Sequence, residues 1–217
     1  MRPQQTRGDC SLCGKQFGKA AMTRHLGQCL QREAQSAPEM PPGAPALHLV
    51  VEGGWGKIYW LHLAVPSTAP LSKLDQFLRR TWLECCGHMS AFEIGGVRYS
   101  VSPMEGERGM SAALGRVVDV GTKFTYEYDF GSTTLLGLKV VGFLDRATPK
   151  NGVELLARNV PPDIKCNDCV TQPATLVCTG CDGFWLCQPC SGTHACGEDC
   201  LLPVVNSPRT GVCGYSG

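Results

Sequence analysis

The sequence lacks long apolar runs, a strong charge of either sign and a secretion signal. Its longest apolar stretches, residues 47–51 and 58–65, are much shorter than the ~20 residues that a membrane-spanning helix needs, so we expect no membrane partner. The N-terminus has Arg2, Arg7 and Asp9 in place of an apolar signal core, which favours a cytoplasmic protein over a secreted one. The net charge of +1 excludes a protein that is cationic throughout.

Cysteine, in contrast, is abundant, with fourteen residues in 217. Three cysteines lie within the first 29 residues and nine lie between Cys166 and Cys213, mostly as C-x2-C pairs close to histidines. This clustering indicates zinc in a reducing compartment and argues against disulfides. Charge is uneven along the chain: residues 1–32 carry six basic side chains and one acidic, which gives +5, and residues 163–217 carry two basic and five acidic, which gives −3.

Composition divides the chain into four segments. Residues 33–45 contain four prolines and no aromatic residue, which is typical of a linker, and the pair Pro161-Pro162 marks a second boundary. We therefore predict a C2HC zinc finger at residues 1–32, a proline-rich linker at 33–45, an α+β domain at 46–160, and a cross-braced two-zinc module at 161–217, whose apolar C-terminal tail packs back on the body.

The central segment alternates strand and helix patterns. Leu71, Leu74, Leu78 and Trp82 recur at helical spacing and predict a helix over about residues 71–84. Strands are predicted at residues 47–51, 58–65, 91–94, 97–101, 124–130, 135–144 and, as an edge, 153–160. We predict an α+β fold: a mainly antiparallel sheet packed on one principal helix, flanked by two small zinc-binding modules.

The N-terminal cysteines belong to a C-x2-C-x11-H-x3-C pattern formed by Cys10, Cys13, His25 and Cys29. Zinc takes four nitrogen or sulfur ligands in a tetrahedron, and this spacing supplies a tight knuckle followed by two ligands on one helix face. The pattern resembles a C2H2-type finger with cysteine as the last ligand, one residue shorter between its two pairs. We predict that it binds a structural zinc ion.

Contact with a partner is a separate question for this finger. Its basic side chains Lys19, Arg24 and Arg32 are candidates for phosphate contact with nucleic acid. A solvated basic face with no partner is an equal alternative, and many such fingers bind protein instead.

The C-terminal cysteines fit two zinc ions, either in consecutive or in interleaved pairs. The short segment from Cys181 to Cys187, with Phe184 and Trp185 inside it, favours interleaving. The predicted ligands are Cys166, Cys169, Cys187 and Cys190 for one site, and Cys178, Cys181, His194 and Cys196 for the other, with Cys200 as an alternative to Cys196. The His-x-Cys ending resembles the cross-brace fingers of the AN1, B-box and MYND group, and this resemblance implies contact with other proteins.

The central segment carries a second resemblance. Four motifs follow one another: Trp-Leu-His-Leu-Ala-Val-Pro from residue 60, Leu-Ser-Lys-Leu-Asp from 71, Phe-Glu-Ile-Gly-Gly-Val-Arg-Tyr from 92, and Phe-Thr-Tyr-Glu-Tyr-Asp-Phe-Gly from 124. In this order they resemble the plasmid pRiA ORF-three-like family. The resemblance implies a small α+β domain of bacteria and archaea, often near mobile elements. The chain departs from the family after Gly131, where Ser-Thr-Thr replaces an acidic, an aromatic and a histidine residue, so no chemistry is carried over there.

An enzymatic reading rests on few residues. Glu127 and Asp129 share a predicted strand face and, with His88 or a divalent metal, would suit a hydrolase or nuclease, although alternation predicts a solvated polar face. Cys85, Cys86 and His88 are a candidate nucleophile–base cluster or a third metal site, and the simpler alternative is buried thiols at a helix end.

The sequence as a whole favours a non-enzymatic zinc-binding adaptor of a bacterial or archaeal cell, linked to mobile elements. We predict about three zinc ions, all structural, because each site has four protein ligands and no open position. We expect protein partners, and nucleic acid through the basic finger. The alternatives are the hydrolase or nuclease above and a protein-only scaffold subunit of a larger complex.

Overall fold

A computed structural model of the chain describes residues 6–36, 45–144, 152–181 and 183–217. The described strands are β1 (Arg7–Cys10), β2 (Gln16–Gly18), β3 (Ala46–Gly53), β4 (Tyr59–Pro66), β5 (Ser90–Ile94), β6 (Val97–Ser100), β7 (Arg108–Gly109), β8 (Lys123–Tyr128), β9 (Thr134–Leu144), β10 (Glu154–Asn159), β11 (Leu176–Cys178), β12 (Phe184–Leu186) and β13 (Leu201–Pro203). The α-helices are α1 (Lys19–Ser36), α2 (Leu71–Leu78) and α3 (Gln188–Ser191).

Ten strands form one sheet in the order β2-β1-β10-β4-β3-β9-β8-β5-β6-β7, in which only the β6–β7 pair is parallel. The predicted α+β class with a mainly antiparallel sheet is therefore confirmed. The helix predicted over residues 71–84 is α2 followed by one π-helical turn, Arg79–Leu83. At 18 residues, however, α1 is the longer helix, so the sheet is not packed on one principal helix.

The sheet is covered on both faces at its centre, because β4 is buried along its whole length. Successive side chains of a strand point to opposite faces. Leu61 and Leu63 accordingly pack in the core that contains Leu74 of α2, whereas Trp60 packs in a second core with Met22 of α1. The continuous apolar run of β4 is thus the mark of a strand with helices on either side.

The N-terminal finger continues the central sheet. Strand β1 pairs with β10, and β10 pairs with β4, so β10 is an interior strand and the predicted edge position is wrong. Close approach at this junction requires Gly8, because a Cβ there would overlap the Arg158 carbonyl oxygen and the Trp60 ring. Residues 33–36 of the predicted linker continue α1, and residues 37–44 lie outside the described ranges.

The C-terminal segment forms a small three-stranded sheet, β12-β11-β13, followed by a tail that lies on the central domain. In this tail the Ser207 hydroxyl donates to the Trp82 carbonyl oxygen over 2.6 Å, and the Arg209 side chain is fully buried. Within the described ranges, no helix combines the length and the apolar character needed to cross a bilayer.

Candidate metal centres

The structure brings the four predicted N-terminal ligands together. The sulfur atoms of Cys10, Cys13 and Cys29 and a ring nitrogen of His25 all lie within 4.8 Å of one another. The knuckle between β1 and β2 turns because the Gly14 amide donates to the Cys10 carbonyl oxygen, with Gly14 in the left-handed region at φ 70°. Helix α1 then carries the other two ligands four residues apart, on one face.

The surroundings of this N-terminal group attach it firmly to the sheet. Cys10 is buried in the same core as Met22 and Trp60, and the ring of Phe17 stacks on His25 with the centroids 4.2 Å apart. Burial lowers the pKa of His25, which keeps the imidazole neutral and able to bind a metal. The four side chains therefore form one compact cluster that could hold a metal ion.

In the C-terminal module the structure brings the eight predicted side chains together in two interleaved groups. Cys166, Cys169, Cys187 and Cys190 form one group, and Cys178, Cys181, His194 and Cys196 form the other, each with its ligand atoms within 4.8 Å of one another. The β11–β12 hairpin links them, because β11 ends at Cys178 of one group and β12 leads into Cys187 of the other. The predicted interleaving is thus the arrangement of the folded chain, and metal binding by these side chains stays a prediction.

The thiols of these groups need a cation to be ionised together. Hydrogen bonds from the Thr171 hydroxyl and from nearby backbone amides lower the pKa of Cys169 to about 6, which makes it a thiolate at neutral pH. Hydrogen bonding to the Cys187 sulfur raises the pKa of Cys190 to about 12. Sulfur atoms this close cannot all carry a negative charge unless a positive ion lies among them.

Cys200 lies beside the second C-terminal group and is not a member of it. A Cβ at Gly180 would lie 3.4 Å from the Cys200 sulfur and 3.5 Å from the Cys196 sulfur, so the two thiols border the same glycine. The grouped ligand atoms nevertheless include Cys196 and omit Cys200. This geometry favours Cys196 as the eighth ligand.

A fourth group contains three side chains for which the sequence leaves open a nucleophile–base cluster, a metal site or buried thiols. Cys85, Cys86 and His88 lie together with Cys213, for which the sequence predicts no role. The simpler expectation of buried thiols does not hold, since Cys86 and Cys213 are exposed and Cys85 is half-buried. No spacing rule connects residues this far apart in the chain, so the sequence carried no signal for Cys213.

The basic side chains of the finger differ in their surroundings. Lys19 forms an ion pair with Glu52 of β3, which engages its charge within the protein, whereas Arg24 and Arg32 are exposed on α1. Lys19 lines a groove of about 540 Å³ between α1 and the sheet. Lys57, Lys123 and Lys139 also line this groove, and sequence reasoning did not single them out.

The carboxylates proposed for an enzyme are both held by arginines. Glu127 is half-buried and accepts a hydrogen bond from Arg98 over 2.9 Å. Asp129 lies beyond the end of β8 in the left-handed region at φ 66°, and it is buried against Arg209 at 2.7 Å. The predicted common solvated face is therefore wrong for Asp129, because the chain turns there and the alternation ends. Of these two carboxylates, Asp129 is the one that lies beside His88, with 3.5 Å between Asp129 Oδ1 and His88 Nδ1.

The chain matches no known family profile, and no curated protein matches it. Among solved structures it is similar to a crystal structure of a protein of unknown function from Methanosarcina mazei Go1, with 17% sequence identity and a TM-score of 0.44. That similarity covers 50% of this chain and 65% of the other, so less than two thirds of the other protein is matched. The resemblance of the central domain to the plasmid pRiA ORF-three-like family stays a prediction.

Proposed function

We propose that the protein is a non-enzymatic adaptor, folded around structural zinc ions, that contacts nucleic acid through the lysine-lined groove between α1 and the sheet. The observation that carries the proposal of nucleic-acid contact is the concentration of positive charge in that groove. Four lysines and one glutamate line it, which gives a local charge of +3 in a protein whose net charge is +1.

Two of these lysines are placed at a cost to the fold. Lys123 of β8 and Lys139 of β9 are direct partners across the antiparallel pair, and both are exposed. Like charges directly opposite one another destabilise a sheet. Among the described residues no carboxylate pairs with either lysine, so an external polyanion would relieve the repulsion. Phosphates at a spacing of a few ångströms are such a ligand.

Structural zinc is supported by the composition of the C-terminal core. Among the described residues, the buried members of its core are Cys166, Cys178, Leu186 and Cys187. A module whose interior consists mainly of sulfur ligands has too little apolar surface to fold alone. Coordination at sites with four protein ligands would supply that stability and leave no position for a reactive water.

The zinc part of the proposal is tested by elemental analysis of the full-length protein. We expect at least three zinc ions per chain. Removal of zinc by a chelator should abolish the near-ultraviolet circular dichroism signal of the C-terminal module. One zinc ion or none per chain would contradict structural zinc at the three predicted sites.

The nucleic-acid part is tested by fluorescence anisotropy with a labelled duplex at several salt concentrations. Each phosphate contact adds about 0.9 to the slope of log affinity against log salt for B-DNA, so Lys123→Gln with Lys139→Gln should reduce the slope by about 1.8. Lys73→Gln, an exposed lysine on α2, is the matched control and should leave the slope unchanged. An affinity that does not vary with salt would exclude phosphate contact.

A protein-only scaffold is the second candidate, and the acidic C-terminal module favours it because residues 163–217 carry a charge of −3. Co-purification of a protein partner that is unaffected by nuclease treatment, together with no duplex binding, would select this alternative. The mobile-element setting is part of the proposal only through the family resemblance.

A further inference from the structure

We infer that Cys85, Cys86, His88 and Cys213 form a fourth tetrahedral zinc centre, which fastens the C-terminal tail to the central domain. The four ligand atoms lie within 4.8 Å of one another, as do those of each of the three groups with zinc-finger spacing. Three ligands come from the segment that follows the π-helical turn, and the fourth comes from the tail.

The distances between the sulfur atoms suit a metal site. The Cys86 sulfur lies 3.6 Å from the Cys85 sulfur and 3.9 Å from the Cys213 sulfur. A tetrahedron with zinc–sulfur bonds of about 2.3 Å has sulfur–sulfur edges of about 3.8 Å. The His88 Nε2 atom lies 2.9 Å from the Cys86 sulfur and 3.2 Å from the Cys213 sulfur, so the nitrogen belongs to the same cluster as the sulfurs.

The backbone around the first three ligands is fixed by a hydrogen-bonded network. The Gly87 amide donates to a Glu84 carboxylate oxygen over 2.6 Å, and Gly87 has φ 80°, which lets the chain turn between Cys86 and His88. The same Glu84 oxygen accepts from the Tyr128 hydroxyl over 2.9 Å, and Arg79 holds the other oxygen over 2.7 Å. This network holds the segment in a conformation in which the side chains of both cysteines and the histidine lie close together.

The groups behind the ligands are also those that a zinc–histidine site uses. His88 Nδ1 lies 3.5 Å from Asp129 Oδ1, which would orient the ring so that Nε2 faces the sulfurs. Asp129 is itself fixed by the amides of Gly131 and Ser132. The buried Arg209 guanidinium donates to Cys85 at 3.5 Å and to Asp129 at 2.7 Å, so it connects a ligand sulfur to the carboxylate beside His88.

The backbone at Cys213 supports a role for its sulfur. Cys213 has φ 51°, in the left-handed region, where a side chain is strained and glycine is the relaxed choice. The nearby Gly211 and Gly214 have φ 79° and 69°, so the left-handed conformation recurs along this turn. A cysteine in a strained, exposed turn of glycines is explained by a ligand requirement and not by packing.

The proposal is tested by native mass spectrometry of the full-length protein, which counts the zinc ions bound per chain. Cys213→Gly suits the left-handed backbone and removes only the sulfur, and we expect it to hold one zinc ion fewer than the wild-type protein. Ser216→Gly introduces glycine at an exposed position of the same tail and should hold the wild-type number. An unchanged count in Cys213→Gly overturns the proposal. Because the result is a difference, it is independent of how many of the other three sites are filled.

A second measurement needs no variant. Iodoacetamide labelling of the zinc-loaded wild-type protein should spare the peptides that contain Cys85, Cys86 and Cys213, and labelling after a chelator should modify all three. Equal labelling in both states, or a disulfide between any two of these cysteines in the natively purified protein, overturns the fourth centre.

Discussion

Arg209 is the buried cation that joins the tail to the central domain, and its replacement by methionine is a direct test of that joint. The guanidinium is fully buried and donates to Asp129, to the Thr134 hydroxyl over 3.0 Å and to the Ser132 carbonyl oxygen over 3.2 Å. Methionine matches the aliphatic part of the arginine side chain and carries no charge. The change therefore leaves the Asp129 carboxylate, with 7% of its side chain exposed, without its arginine partner.

The expected magnitude follows from the burial of both partners. Breaking a buried ion pair by removing one member costs about 3–5 kcal/mol, because the remaining charge is desolvated and unpaired. Adding Asp129→Asn to Arg209→Met removes that charge, and asparagine tolerates the left-handed backbone at this position. We expect the double variant to recover about 1–3 kcal/mol relative to Arg209→Met.

The assay is urea unfolding followed by tryptophan fluorescence, at constant free zinc and neutral pH. Arg116→Met, at an exposed arginine, is the control and should change the free energy of unfolding by no more than about 0.5 kcal/mol. The reasoning fails if Arg209→Met costs less than about 1 kcal/mol, the range of exposed ion pairs. It also fails if Asp129→Asn destabilises both backgrounds equally.

Three further predictions concern the two buried histidines, the packing at Gly8 and the eighth C-terminal ligand. Burial lowers the pKa of His48 to about 4 and that of His62 to about 3. The unfolded chain then binds more protons below pH 6.5, so stability that is present above this pH falls toward pH 4 by about 1.4 kcal/mol per unit for each histidine. Urea unfolding at several pH values should show a shallower decline of stability with falling pH in a His48→Leu, His62→Leu variant than in the wild-type protein. Loss of zinc at low pH affects both proteins equally and cancels in the comparison. Parallel curves would contradict the role of the two histidines. Gly8→Ala should lower the free energy of unfolding by about 1–3 kcal/mol, and with it the melting temperature, because the added Cβ overlaps the neighbouring strand. An unchanged melting temperature would contradict the packing at this junction. Cys196→Ser should remove one zinc ion in native mass spectrometry whereas Cys200→Ser should not, and the opposite result would reassign the eighth ligand.

The features that could be predicted from the sequence are those set by neighbours in the chain. The helix that begins at Leu71 and the paired strands β8 and β9 follow from local periodicity. The grouping of cysteines within each knuckle follows from C-x2-C spacing, and the interleaving of the two C-terminal groups followed from the short segment after Cys181.

The features that sequence reasoning missed depend on contacts between distant segments. Pairing of β1 with β10 joins residues about 150 positions apart (Gly8 with Asn159), and no periodic pattern encodes it. The same holds for Cys213, whose three companions lie more than 120 positions earlier. Alternation predicts the wrong face for Asp129, because it holds only while the backbone is extended and the left-handed turn at this residue ends it.

The order of the large sheet has a consequence for solubility. Its two outermost strands, β2 and β7, are only three and two residues long, so each edge offers few unpaired amides and carbonyls to another molecule. A shortened protein without residues 1–36 would lose this protection on one side, because the six-residue β10 would become the new border. Such a fragment should self-associate through strand addition. The finger therefore protects the sheet edge from aggregation in addition to carrying a candidate metal site.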